Sequence, residues 1–333
     1  MPIDTHKLSS ADRNPLRTLA LALVRKYPEL GVTTALCLFA IFFAISAPGF
    51  ATLESLTAIL TVAAELGMVA VGVSFLMVSG EFDISVGSIL LLSTFIFCSL
   101  ANRGLLPPLA FIITSVACVL TGIINAFITI RLQIPSFITT LGSMMFWRGI
   151  VIFLTGGFSV TYQADASFLQ ILGGNPFSMF RNSVIWFVIL TGLLHLTLNR
   201  TRYGNWVYAT GGNSEAARNV GVPINRVKVV NFGLCSLLAG IAGMTNLARF
   251  MVVQGQLGTL KELESIAAAV IGGNLLSGGR GSILGTFVGA VFISMLRTGL
   301  IMMGFSSYLY MPLTGVMIVL AVILNRRITN LRS

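Results

Sequence analysis

Six polar side chains stand in or beside long apolar runs: Glu65, Glu81, Asp83, Ser85, Asn125 and Asn274. Acids in such surroundings are costly, and they mark solute or proton pathways or the ion pairs that neutralise them. Glu65 and Asp83 are therefore candidate proton sites as well as candidate solute contacts. Asp83 also precedes Ile84-Ser85 at a glycine-flanked break, where a carboxylate can cap the following helix instead. Asn125 and Asn274 offer amide groups to a hydroxyl-bearing solute, and equally to neighbouring helices. No enzyme constellation accompanies them. His6 and His195 have no acids or cysteines at metal spacing, so neither a metal nor a cofactor is expected. Cys37, Cys98, Cys118 and Cys235 lie in apolar runs without CxxC spacing and read as small buried hydrophobes. Gly273-x-x-x-x-Gly278 imitates the start of a phosphate loop, but Gly279-Arg280 follows where Lys and Ser or Thr are needed. The run is therefore expected to be a tight turn or close-packed helix break and not a nucleotide site.

The elements that position these groups must be membrane helices. The 333 residues are 55% hydrophobic and 10% charged, with mean hydropathy +0.90, against about 25% charged in a soluble domain. Repeated apolar runs of about 20 residues imply an all-α, polytopic transmembrane bundle. The net charge of +10 does not call for nucleic acid, because its positions follow the positive-inside rule. Lys7, Arg13, Arg17, Arg25 and Lys26 precede the first span. Arg200, Arg202, Arg218, Arg226 and Lys228 fill a central loop, and Arg326, Arg327 and Arg332 follow the last span. All three groups are expected on the cytoplasmic side. The first 29 residues are too polar and basic for a cleavable signal peptide.

In chain order, residues 1–29 form a cytoplasmic or interfacial arm. Residues 30–325 form the transmembrane domain, with a cytoplasmic loop at 200–228, and 326–333 form a tail. Ten spans are expected: Leu30–Ala47, Leu56–Val78, Ser88–Leu100, Pro107–Arg131, Ser136–Leu154, Asn182–Leu198, Val227–Leu247, a short Leu263–Leu276, Ile283–Met303 and Leu309–Leu324. Both termini are then cytoplasmic. Eight crossings keep the same sidedness if the short or broken segments are re-entrant. Gly87-Ser88-Ile89-Leu90 recurs as Gly281-Ser282-Ile283-Leu284, each opening an apolar run after a glycine-broken segment. Broken backbone at membrane depth is tolerated only where it is buried or faces a cavity, so paired breaks point to a transport pathway.

The central loop, Thr201–Lys228, carries the clearest local punctuation. Asn213 or Ser214 is placed to cap a short helix, and Glu215 falls in its first turn, where negative charge suits the helix N-terminus. Ala216 and Ala217 favour helix and hold neighbours at short range. Gly221 and Pro223 end it after about two turns. A helix that short is marginal alone and needs a partner surface.

Glu215-Ala216-Ala217-x-x-x-Gly221 in a basic loop resembles the coupling element of ABC importer permeases, although the Ile-x-Leu-Pro end of the longer motif is absent. Val207-Tyr208-Ala209-Thr210-Gly211-Gly212-Asn213, Ser236–Gly243 and the run Ile266–Gly289 are similar to the ribose-type monosaccharide permeases of that class. SGEFDISVGS (Ser79–Ser88) resembles their Gly-Gly-Ile-Asp-Leu-Ser-Val-Gly-Ser element, with Glu81 at its second glycine. Lys261-Glu262-Leu263-Glu264 also departs from their usual Gly-Tyr-Glu-Leu-Asp. The resemblance covers about residues 65–325. It implies a permease subunit in a bacterial inner membrane that moves a monosaccharide or similar small polar solute. Its implied partners are a separate ATPase, a second permease subunit, a periplasmic or lipid-anchored solute-binding protein, and membrane lipid. Asn213, Glu215, Ala216, Ala217, Arg218 and Gly221 would couple to the ATPase. Related permeases carry branched-chain amino acids or nucleosides, and an ion-coupled secondary transporter is the alternative from another class.

Overall fold

The computed structural model describes residues 29–175 and 180–306, with residues 309, 311–316, 319 and 323 beyond them. The basic N-terminal arm, most of the expected tenth span and the tail lie outside the described residues. Of that tenth span, residues 311–316 are helical.

Hydrocarbon offers backbone groups no partners, so long apolar runs must satisfy their own N–H and C=O groups as helices. The first half comprises α1 (Glu29–Ser46), α2 (Leu53–Val78), α3 (Val86–Asn102), α4 (Pro107–Arg131) and α5 (Ser136–Thr155). A short strand β1 (Val160–Thr161), α6 (Ser167–Gly173) and α7 (Asn182–Arg200) follow. The second half comprises α8 (Arg202–Gly212), α9 (Ser214–Asn219), α10 (Ile224–Phe250), β2 (Val252–Val253), α11 (Lys261–Ile271) and α12 (Ile283–Met302). Seven of these, α1, α2, α4, α5, α7, α10 and α12, are long and apolar enough to cross a membrane. α3 is apolar but has 17 residues. The chain is therefore a polytopic helical membrane protein.

The run expected as a short eighth span is helical for only 11 residues before Gly272-Gly273. That is about 16 Å of helix, roughly half of a hydrocarbon core. α11 does not cross by itself.

α2 is the axis of the bundle. Every residue from Ala63 to Val78 is buried, beneath α7, α10, α11 and α12. Close approach is set by small residues: a Cβ on Gly67 would lie 2.1 Å from the Phe187 ring of α7. A second apolar cluster joins α3, α6 and the end of α10 through Phe97, Leu169, Leu172 and Leu247. There β1 pairs antiparallel with β2, Val160 opposite Val253 and Thr161 opposite Val252. This ribbon caps the end of α10 opposite the central loop. At the other end, α2 breaks at Ser79–Ser85 and α11 at Gly272–Ser282, and the echoed Gly-Ser-Ile-Leu sequences open α3 and α12.

Candidate functional site

The central loop folds into two helices, not one. α8 occupies its first half, with Thr201 Oγ1 accepting a hydrogen bond from Gly204 N at 3.2 Å. α8 is poor in strong helix formers and is held by contacts made elsewhere. Tyr203 stacks on Phe75 of α2 at 6.3 Å and donates to Asn231 Oδ1 of α10 at 2.6 Å. Tyr208 donates to the Gly281 carbonyl at 3.2 Å. Burial pushes both phenols above their ordinary pKa.

α9 follows as a six-residue helix, shorter than two turns. Asn213 is its cap: Oδ1 accepts from Ala216 N at 2.9 Å, whereas Ser214 donates back to Thr210 O at 2.6 Å. Gly221, at φ +87°, closes the helix, with Gly221 N bonded to Arg218 O and Val222 N to Ala217 O, each at 3.0 Å. Ala217 is the buried residue of α9, while Glu215, Ala216, Arg218 and Asn219 are exposed. One small side chain anchors the helix to its own chain, and the rest of its surface is open.

Immediately before Asn213, three glycine-bearing segments meet backbone to backbone. Gly279 N donates to Val78 O, the end of α2, at 2.9 Å. A Cβ on Gly211 would lie 1.9 Å from Val78 O and 2.6 Å from Gly279 N. A Cβ on Gly278 would lie 2.8 Å from the Gly80 Cα. The end of α8 is therefore wedged between the two breaks. No side chain larger than hydrogen fits at Gly211, Gly278 or Gly279 without backbone movement.

The six intramembrane candidates do not form one cluster. Asp83, Ser85 and Asn125 come together, all buried. Asp83 Oδ1 accepts from both the Ser85 N–H, at 2.8 Å, and the Ser85 hydroxyl. Asn125 Nδ2 donates to Ser85 Oγ at 3.0 Å. Asp83 thus braces the turn into α3 from two residues before its N-cap, Ser85, which makes no side-chain cap of its own. Its second oxygen, Oδ2, is buried without a hydrogen-bond partner. Glu65 lies elsewhere, accepting from Arg249 at 3.1 Å and Asn246 at 2.9 Å on α10. Glu81 is ion-paired with Lys228 in the second turn of α10. Asn274 locks the second break, donating to Ala269 O and Thr286 Oγ1 and accepting from Ser282 N.

Sequence reasoning missed Arg148, a lone cation in the otherwise apolar α5. Its NH1 group faces the irregular backbone before α11, within 3.0 Å of Gly255 O, 3.2 Å of Leu257 O and 3.1 Å of Thr259 Oγ1. It is the last of four residues spaced four apart that stitch α5 to its neighbours, three of them to non-helical segments and Met144 to the first turn of α3. Ser136 Oγ accepts from Phe82 N and Thr140 Oγ1 from Ile84 N, each at 3.2 Å. The Met144 carbonyl accepts from Ser88 Oγ at 2.8 Å. An intramembrane Arg is itself a functional signal, and reading it needed only the apolar run around it. Lys261 and Glu264, in the segment that departs from the ribose-type pattern, pair at 2.7 Å. Among the described residues no group of His, Cys, Asp and Glu is arranged to hold a metal.

A family model described as the permease component of branched-chain amino acid transport systems matches residues 55–322. The chain is 33% identical to a ribose import permease of Bacillus subtilis (strain 168), over 90% of this chain and 93% of that protein. It is 31% identical to a xylose/arabinose import permease of Sulfolobus acidocaldarius, over 92% and 86% of the two chains. It is 33% identical to a fructose import permease of Rhizobium meliloti, over 84% and 79%. No solved structure matches the chain.

Proposed function

We propose a function from one premise: the chain belongs to the family of permease components of branched-chain amino acid transport systems. It is the membrane-spanning permease subunit of an ABC importer, and ATP is hydrolysed on a separate subunit. The solute is a monosaccharide or a similar small polar molecule, a reading supported by the ribose, xylose/arabinose and fructose permeases that it resembles over most of its length. A solute-binding protein delivers the solute to a pair of permease subunits in a bacterial inner membrane. Ten crossings, with the central loop and both termini cytoplasmic, fit the distribution of Lys and Arg. The pathway runs past Asp83, Ser85 and Asn125, where Asp83 Oδ2 has unused acceptor capacity.

The observation that carries the mechanism is α9, a capped helix anchored by Ala217 with Glu215, Ala216 and Arg218 exposed. As a rigid lever it docks on the ATPase, and closure of the ATPases on ATP moves it and switches the pathway from outward- to inward-facing. Asn213 and Gly221 fix its two ends. For the ion-coupled alternative Glu65 is a poor proton site, because it is committed to Arg249 and Asn246.

The family description favours one competing solute class, a branched-chain amino acid. Uptake of labelled pentoses, hexoses and leucine by cells carrying the complete transporter separates them. Sugar-competed uptake supports the reading, and leucine-competed uptake replaces it.

A further inference from the structure

We propose that the Glu81–Lys228 ion pair transmits the movement of the coupling loop to the solute pathway. This rests on the importer reading and assigns Glu81 a positioning role in place of solute contact. Lys228 stands in the second turn of α10, the helix that emerges directly from α9 through Gly221–Pro223. Glu81 stands in the α2–α3 break, where the ribose-type element has glycine. Both side chains are mostly withdrawn from solvent, so neither charge is well screened and each depends on the other.

What Glu81 is attached to gives the pair its consequence. The next residues, Phe82 and Ile84, donate their N–H groups to Ser136 and Thr140 of α5. Asp83, between them, holds Ser85, which accepts from Asn125 of α4. A pull on Glu81 is thereby a pull on the backbone that joins α4, α5 and the start of α3. On its other side, Gly80 lies against Gly278 of the second break, whose neighbour Gly279 bonds to Val78. Apart from Glu81–Lys228, the contacts described between the coupling loop and the first break are backbone packing at Gly211, which resists compression but not separation. The ion pair supplies the tension that glycine contacts lack.

The test uses the complete transporter, with its ATPase and binding protein, in proteoliposomes. ATP hydrolysed per solute moved is measured for wild type, Glu81→Gln, Lys228→Met and the reversed pair Glu81→Lys with Lys228→Glu. Each single change is expected to retain the ATPase subunit while raising ATP consumed per solute by at least about fivefold, the low end of a typical coupling between sites. The reversed pair should recover most of that loss, and the apparent solute affinity should not move. Wild-type ratios in both single variants overturn the proposal. So does a reversed pair no better than its parts, or a Glu81→Gln effect confined to solute affinity, which would make Glu81 a solute contact. If a single variant fails to assemble, Lys228→Arg and the reversed pair decide alone: restored assembly without restored coupling is a purely structural pair. A wild-type complex that holds no ATPase overturns the importer reading first, and this proposal with it.

Discussion

Gly211→Ala should damage the junction severely although it adds a single methyl group. Gly211 lies in α8 with ordinary helical dihedrals, so the change brings no backbone strain of its own, and alanine is the better helix former. The cost is steric. The new Cβ would sit 1.9 Å from Val78 O and 2.6 Å from Gly279 N, and both neighbours are backbone. Separating α8 from the end of α2 to an acceptable contact takes a movement of about 1 Å, and overpacking of that kind costs about 1–3 kcal/mol. The same movement strains the Gly279 N–H to Val78 O bond, worth about 1 kcal/mol net. Together the loss is about 2–4 kcal/mol. Gly192→Ala is the matched control, a helical glycine in α7 with nothing within 4 Å of the place its new methyl would take; it should be neutral or slightly stabilising. Thermal unfolding of the purified complex in mild detergent measures both. A Gly211→Ala protein as stable as Gly192→Ala would refute the close-packed junction and the lever arm built on it.

Two further outcomes follow from named contacts. Arg148→Met removes the donor shared by Gly255 O, Leu257 O and Thr259 Oγ1; its NH1 nitrogen carries two N–H groups, so at about 0.6 kcal/mol for an average intramembrane hydrogen bond the loss is about 1 kcal/mol. It should appear as faster protease cleavage between Gln254 and Leu260, and unchanged cleavage would show that Arg148 does not hold this segment. Asn213→Ala removes the α9 cap at about 1 kcal/mol, so ATPase binding should weaken about fivefold, whereas Asn213→Asp should retain it; equal affinity for all three proteins would count against a preformed α9.

Most of the membrane helices were legible because a single physical rule produces them. α2 ends at Val78, α4 spans Pro107–Arg131 and α12 begins at Ile283, as the apolar runs indicate. The α9 cap was legible too, since Asn-Ser-Glu before alanines is a local signal read by local hydrogen bonds. α8 was not, because Gly204, Gly211 and Gly212 argue against helix, and distant partners at Asn231 and Gly281 supply its stability. α11 looked like part of a longer span because its apolar run continues beyond Gly272 although the helix does not. The pairing of Glu81 with Lys228, 147 residues away, depends on how two helices and a break are arranged in space. No spacing in one sequence encodes that. The polar candidates accordingly divided in a way the sequence did not foretell: Asp83, Ser85 and Asn125 joined, while Glu65, Glu81 and Asn274 went to separate structural partners.

The importer mechanism we propose has α9 dock this permease onto a separate ATPase. The decisive experiment is to purify the tagged protein with Glu215 intact and as Glu215→Lys, identify what is retained, and assay ATP hydrolysis. Glu215 is exposed in the first turn of α9, so the substitution should leave the membrane fold intact. The expected result is an ATPase bound to the wild-type protein and lost from Glu215→Lys at equal permease yield. A permease free of ATPase in both preparations, or an ATPase held equally by both, contradicts it.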